Sequence, residues 1–408
     1  MLTALKGNYK TEKGMNKTKS AVFIIFFLCI ALFLNLAVVA QESILSSYER
    51  NFIRSSLAAK PGVLSDAAMD EKSGEFIGAL YDMAIDFALA NGEALRDDPD
   101  MIALVAAAAR GAASAGKAVS VMKLWALFQV YSDSYSRVEI LDALAVLGKG
   151  DQDLIKNLNK FLSNSNNSFR AGISQDYPVL KACISTLGIL GDSSSFPVLF
   201  SAMTAGYQQA IIQESLKAME SIHGDYKDFL VDVIRNNPFP EKAAAFRIGA
   251  YNEKLSAPEK GELAEAALEI SLENSGPAEL SLRYDAITVL TRLKWTPASA
   301  LATRNYYKVQ TDYSGGFVPK ERLLEAIACL GVMSSAEAAH ALALHLGYFN
   351  SSAEKSGEYD EVIVLALISA LGELADKAAF DNLLYIGYLN YPDKIQAAAR
   401  EALNRLKW

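Results

Sequence analysis

Over residues 136–408, apolar residues recur at the spacing of amphipathic α-helices, and no segment has the sustained alternation of a β-strand. In residues 136–148, four large apolar side chains fall on one helical stripe: Ile140, Leu141, Leu144 and Leu147. Gly148 and Gly150 predict the end of this helix, because glycine favours helix C-termini. A second apolar stripe follows directly, so residues 136–162 predict a helical hairpin.

The same unit returns at a nearly constant interval. Leu187-Gly188 follows Leu147-Gly148 by 40 residues, and Leu330-Gly331 and Leu371-Gly372 are 41 residues apart. One hairpin cannot bury both of its stripes alone, so this period predicts an all-α fold, an α-solenoid of stacked antiparallel hairpins. The predicted hairpins are 136–162, 177–204, 207–236, 240–274, 277–311, 319–349 and 357–390, and a helix at 392–408 is predicted to cap the array.

Other segments fit this repeat period less well. Residues 41–135 are also helical in pattern, and we interpret them as a divergent N-terminal cap that precedes a repeat domain over 136–408. Polar residues dominate 163–176, 311–319 and 350–359, which predicts three loops. Such loops are either solvated linkers or surfaces that touch a partner.

The repeats resemble the HEAT family. Cys183–Leu199 and Leu367–Leu384 are similar to the family's junction of two helices, with Leu-Gly, an acidic turn residue and a second helix that starts on small residues. Leu282-Arg283 is similar to the family's opening of a first helix. Armadillo repeats are the nearest alternative, but a short third helix is not evident. The resemblance implies a curved superhelix that binds a partner on its concave face, and it implies no catalytic residues.

The N-terminal region looks like an export signal. Residues 21–40 are apolar except for Asn35, Lys17 and Lys19 precede them, and small residues lead to Gln41. We therefore interpret residues 1–40 as a signal peptide, which predicts a periplasmic or extracellular protein. The alternative is that residues 21–40 stay in place as a membrane anchor, because about 20 apolar residues can span a bilayer.

Composition narrows the class of partner. The chain has 408 residues and carries a formal net charge of -8. It is 51% hydrophobic, and this high hydrophobic fraction excludes a disordered chain. Without residues 1–40 the net charge becomes -12. We therefore expect no nucleic acid partner, since phosphate binding needs an excess of Lys and Arg. Cys183 and Cys329 lie in apolar helical runs and are predicted to be buried free thiols.

Candidate chemistry is sparse. The chain has three histidines, and His340 and His345 lie five positions apart, roughly 140° around a helix, so they do not face one metal. The motifs of zinc proteases, serine hydrolases and nucleotide-binding proteins do not occur. We therefore expect no catalytic residue, cofactor or metal. The expected function is an exported, non-enzymatic scaffold that binds a protein or peptide; the alternatives are a HEAT-like lyase and a membrane-anchored structural element.

Two aromatic clusters are the candidate partner-binding residues, since aromatic residues and Arg often anchor interfaces. The first cluster is Arg304, Tyr306, Tyr307 and Lys308. The second has tyrosines at three-residue steps, Tyr385, Tyr388 and Tyr391. The alternative interpretation is structural, because tyrosine also packs at the partly wet edges of helical stacks.

Overall fold

The computed structural model describes residues 46–70, 77–116, 121–274 and 276–407. The fold is all-α: within these ranges, the elements are α-helices and short 3-10 turns, and the extended contacts are two isolated bridges. The chain divides into two compact units, residues 1–223 and 224–408. Each unit is described separately below.

The first unit contains nine labelled helices after the helical residues 46–54. They are α1 (Lys60–Met69), α2 (Ile77–Leu95), α3 (Pro99–Ala115), α4 (Val121–Val130), α5 (Ser134–Leu147), α6 (Gln152–Arg170), α7 (Tyr177–Leu190), α8 (Phe196–Thr204) and α9 (Gln209–Ser221). Each helix packs against the helix two positions further along the chain. The odd-numbered helices therefore form one row and the even-numbered helices a second row.

The second unit follows the same rule. Its helices are α10 (Lys227–Asn236), α11 (Phe239–Tyr251), α12 (Ala257–Leu272), α13 (Pro277–Leu293), α14 (Ser299–Ser314), α15 (Lys320–Gly331), α16 (Ala336–Ser356), α17 (Glu361–Leu374), α18 (Phe380–Tyr385) and α19 (Asp393–Arg405). The odd-numbered helices form the first row of this unit, and the even-numbered helices form its second row. This two-row packing is the arrangement expected of an α-solenoid-like fold.

Leu-Gly pairs in the first rows have a packing role. A Cβ built on Gly188 in α7 would lie 2.8 Å from the Cα of Ala218 in α9, and one built on Gly372 in α17 would lie 3.1 Å from the Cβ of Ala402 in α19. Carbon atoms normally pack about 3.5–4.0 Å apart. Glycine is therefore required where successive helices of a first row cross most closely.

Acidic caps define many of the helix starts. Asp151 begins α6, Asp176 begins α7 and Asp360 begins α17, each by accepting a backbone N–H with its carboxylate. Such a cap satisfies one of the free N–H groups in the first turn, and replacing it with alanine typically costs about 1 kcal/mol. Asp98 does the same at α3, where its carboxylate accepts from the N–H groups of Asp100 and Met101.

Two segments repeat each other at an interval of 184 residues. Asn166 in α6 corresponds to Asn350 in α16, and each side chain donates to a backbone carbonyl of the next helix in its row. The backbone N–H of His223 donates to the carbonyl of Gly191, and that of Lys407 donates to the carbonyl of Ala375. Further equivalent pairs are Asp176 and Asp360, Gly188 and Gly372, Asp192 and Asp376, and Tyr207 and Tyr391.

The three predicted loops begin too early. Helix α6 extends to Arg170, α14 to Ser314 and α16 to Ser356, so much of the polar sequence is helical. The reason is visible at Asn166 and Asn350, which are buried and bond across to the neighbouring helix. A polar residue that is buried between stacked helices therefore has the same composition signal as a loop residue.

The remaining predictions have mixed outcomes. Both helices of each predicted hairpin are present. Among helices that are consecutive in the chain, however, each second-row helix packs more closely against the helix that follows it than against the helix that precedes it. Cys183 and Cys329 are buried and unpaired, which confirms the free thiols. The N-terminal cap over 41–135 stays a prediction. Helix α3 packs against α5 in the same way as later helices of the row pack against each other. Residues 1–40 lie outside the described residues. Among the described residues, no helix is long and apolar enough to cross a membrane.

Candidate partner-binding surface

The structure separates the seven candidate residues into buried and exposed groups. Tyr306 and Tyr391 are buried, with exposed fractions of 0% and 4%, so neither can contact a partner from its present position. Lys308 is half-buried, and the exposed members are Arg304, Tyr307, Tyr385 and Tyr388. The step of three from Tyr385 to Tyr391 does not hold one face, because the helix ends at Tyr385 and a 3-10 turn follows.

Tyr306 belongs to a buried polar pair between two second-row helices. Its hydroxyl is hydrogen-bonded to Nδ1 of His345 on α16. Burial raises the pKa of Tyr306 and lowers the pKa of His345 to about 4, so both side chains are neutral at pH 7. This bond satisfies two polar groups in a dry environment and fixes the register of α14 against α16.

Tyr391 has an equivalent structural role. Its hydroxyl donates to Oδ1 of Asn350 over 3.3 Å, and its ring packs edge-on against Tyr359 at a centroid distance of 4.7 Å. Burial raises its pKa to about 12. The side chain therefore fastens the segment between α18 and α19 to α16.

A set of exposed large side chains lies on the second row of the second unit. Five large side chains with exposed fractions of 39% to 77% form it, and we call it the aromatic strip: Tyr307, Leu344, Tyr348, Tyr385 and Tyr388. On α16, Leu344 and Tyr348 stand one turn apart on the narrow stripe that neighbouring helices leave uncovered. Because the buried residues of α14 and α16 face the other helices, this stripe points away from the first row.

Contacts between the second-row helices involve residues next to members of the aromatic strip. Tyr306 is hydrogen-bonded to His345, and the strip members Tyr307 and Leu344 are the chain neighbours of these two residues. A Cβ on Gly347, the residue before Tyr348, would lie 2.8 Å from the side chain of Asn382 on α18. The hydroxyl of Tyr385 donates to Glu354 over 2.8 Å, which joins α18 to α16 again. The members of the aromatic strip therefore lie on three successive helices of the second row and on the 3-10 turn that follows α18.

Charged side chains border the aromatic strip. Arg304 and Lys308 flank Tyr307 on α14, and no ion pair found in the described part of the chain includes either of them. Glu354 and the exposed Asp381 lie at the α16–α18 end. Exposed Lys355 lies next to Glu354, so charges of both signs border the aromatic strip.

Other chemistry does not gather at this surface. Among the described residues, no group of three or more His, Cys, Asp or Glu side chains could hold a metal ion. His340 is exposed on α16 while His345 is buried, as their five-residue separation predicted. Burial raises the pKa of Cys183 to about 12 and that of Cys329 to about 11, so neither is a reactive thiolate at neutral pH.

Sequence reasoning missed Leu344 and Tyr348. The available signal was two large apolar side chains four residues apart, lying off the buried stripe of Ala338, Leu342 and Leu346. Apolar residues on the solvent side of an amphipathic helix are unusual when they continue onto neighbouring helices. That continuity depends on which helices pack together, which one helix alone cannot indicate.

Comparison with known proteins adds no relative. No protein-family model matches the chain, and no curated protein matches it in sequence. The likeness to HEAT repeats therefore stays a prediction that rests on the repeated sequence and the two-row packing.

Proposed function

We propose that the protein is an exported, non-enzymatic scaffold of HEAT-like repeats that binds a protein or peptide through the aromatic strip. The observation that carries this proposal is that five exposed large side chains lie on α14, α16, α18 and the turn after α18, which pack in series. Exposed apolar side chains that gather on neighbouring elements mark an interaction site. Tyrosine and Arg, both present here, are the residue types that anchor interfaces.

Export is the other half of the proposal, and it is supported by the sequence of residues 1–40. The charge of residues 41–408 supports a protein or peptide partner over a nucleic acid.

Selection from a displayed library of random peptides tests the binding function. The purified chain is the bait, and the affinity of enriched peptides is measured by fluorescence anisotropy against the wild type and Tyr348→Ser. We expect Tyr348→Ser to weaken binding by about tenfold or more, since truncating an aromatic anchor costs about 2 kcal/mol.

Tyr251→Ser is the matched control, because Tyr251 is also an exposed tyrosine, at 56% against 69% for Tyr348, and lies on the first row of the same unit. This variant should bind as the wild type does, and circular dichroism should show both variants to be folded. Enriched peptides that bind Tyr348→Ser and the wild type equally would contradict the proposal, as would a library that yields no binder.

A further inference from the structure

We infer that the fold is incompatible with glycans at its two N-glycosylation motifs, and that the chain is therefore exported into a compartment that attaches no glycan to asparagine. This inference rests on the export half of the proposed function and names the class of compartment. The residues that carry it are Asn166 and Asn350, the equivalent asparagines of the second-row helices α6 and α16.

The sequence motif is an asparagine followed two positions later by serine or threonine, with any residue except proline between them. Residues 41–408 contain two such motifs, Asn166-Asn167-Ser168 and Asn350-Ser351-Ser352. In an exported protein, this motif normally predicts a surface loop. Here both motifs lie inside long helices, so the structure places them where a glycan is not expected.

The acceptor atoms lie between packed helices. Asn166 is 0% exposed and Asn350 is 1% exposed. A glycan would be bonded to Nδ2, and in both residues this atom is already used. Nδ2 of Asn166 donates to the carbonyl of Val198 on α8 over 3.2 Å, and Nδ2 of Asn350 donates to the carbonyl of Asn382 on α18 over 2.9 Å. Because packed interiors leave few voids larger than a water molecule, a sugar on either nitrogen would overlap the next helix of the row.

Further hydrogen bonds hold both side chains in this orientation. Nδ2 of Asn166 also donates to Oγ of Ser201 over 3.3 Å, and Oδ1 of Asn350 accepts from the hydroxyl of Tyr391 over 3.3 Å. Turning either asparagine outward would leave a buried carbonyl without its donor, which costs the desolvation of that group. A glycan at either position therefore requires the second row to open.

The order of events decides what happens to the exported chain. A chain that crosses a membrane unfolded presents both motifs before α6 and α16 pack against their neighbours. Because a glycan is bulky and strongly hydrated, its attachment at that stage would keep the second row from closing. A compartment that attaches N-glycans would therefore hold the chain unfolded, whereas a bacterial periplasm that lacks this modification would not.

Expression by two routes tests the inference on the full chain, with its own residues 1–40. One host is a bacterium that attaches no N-glycans, and the other is an insect cell line that attaches them. Mass spectrometry measures glycan occupancy at each asparagine, and the yield of protease-resistant chain measures folding. The bacterial protein should be folded and unmodified. The insect-cell protein should carry glycans at Asn166 or Asn350 and give a several-fold lower folded yield, since lost stability lowers abundance.

Two double variants assign this effect to the motifs. Ser168→Ala/Ser352→Ala removes both motifs but keeps both asparagines with their Nδ2 hydrogen bonds, so its folded yield in insect cells should rise several-fold. Ser168→Thr/Ser352→Thr keeps both motifs and should give the low yield of the wild type. Thermal melting of the bacterial proteins checks that both variants fold.

Gln213→Asn is the matched positive control, added to the Ser168→Ala/Ser352→Ala variant. Gln213 is exposed on α9, and the substitution creates a new motif with Ser215. This triple variant should carry a glycan and keep the folded yield of the double variant, because its glycan extends into solvent.

The outcomes separate the inference from the proposed function. A wild type that folds in insect cells as well as the Ser168→Ala/Ser352→Ala variant, with or without glycans, would overturn the inference and leave the proposed function standing. A triple variant without a glycan would show that residues 1–40 do not export the chain, which would overturn the export half of the proposed function and the inference together.

Discussion

Adding a methyl group at Gly188 tests whether the repeated Leu-Gly pairs mark a close crossing of helices. In an ordinary helix interior, Gly→Ala raises the free energy of unfolding by about 0.8–1.0 kcal/mol, because alanine has the higher helix propensity. At Gly188 the new Cβ would lie 2.8 Å from the Cα and 2.9 Å from the Cβ of Ala218. These atoms belong to the backbone of α9 or are bonded directly to it, so they cannot move without shifting that helix.

Two opposing effects, overpacking and helix propensity, set the change in the free energy of unfolding at Gly188. Overpacking a well-packed interior by one methyl group typically costs about 1–3 kcal/mol, which offsets the gain in propensity. We therefore expect Gly188→Ala to lower the free energy of unfolding by about 1 kcal/mol. Gly372→Ala should have a smaller effect, because its Cβ would lie 3.1 Å from the Cβ of Ala402.

Gly62→Ala is the matched control. Gly62 lies in α1, and a Cβ built on it has no neighbour within 4 Å, so only the propensity gain applies. We expect this variant to raise the free energy of unfolding by about 1 kcal/mol. Urea unfolding followed by circular dichroism at 222 nm measures all three variants, with the midpoint compared at unchanged slope.

A second substitution makes the assignment specific. Replacing Ala218 by Gly in the Gly188→Ala background should recover stability beyond the sum of the single effects, because it removes the Cβ from the crowded contact. A Gly188→Ala variant as stable as Gly62→Ala would refute the close crossing. Strictly additive single and double variants would refute the role of Ala218.

Three further predictions concern buried groups. Between pH 6.5 and 4, His345 binds a proton in the unfolded chain but not in the folded chain. As the pH falls, the free energy of unfolding of the wild type should therefore decrease by up to about 3 kcal/mol relative to that of His345→Gln. Urea midpoints that change in parallel with pH for both proteins would contradict this. Asn350→Ala should lower the free energy of unfolding by about 1–3 kcal/mol, because the carbonyl of Asn382 loses its hydrogen-bond donor. Urea unfolding measures the change, and a change below about 0.5 kcal/mol would refute that contact. Cys183 and Cys329 should react with a thiol reagent only as fast as the chain unfolds, and rapid labelling of the folded chain would show that they are accessible.

The all-α fold and its two-row packing could be predicted because local signals agreed with the packing. Leu-Gly pairs, acidic caps and apolar stripes each report on contacts that recur at several places along the two rows. At Gly188 and Gly372, the residue that marked the period in the sequence is the residue that the helix crossing requires. The buried thiols followed from the same apolar stripes.

Predictions failed where a side chain's role depended on a distant partner. Tyr306 and Tyr307 are adjacent and chemically alike, but α16 covers the first with His345 and leaves the second exposed. Asn350 has the composition of a loop residue, and only its bond to Asn382 explains its place inside α16. Which tyrosines form the aromatic strip is therefore a property of helix packing and not of the local pattern.

Tyrosine footprinting tests the central claim most directly. The chain is treated with a tyrosine-modifying reagent alone and in complex with a library-selected peptide, and modification at each tyrosine is measured by mass spectrometry. The account predicts that the peptide protects Tyr307, Tyr348 and Tyr388 while Tyr251 stays equally reactive. Protection of Tyr251 with unchanged reactivity at Tyr348 would contradict the assignment of the aromatic strip as the binding surface.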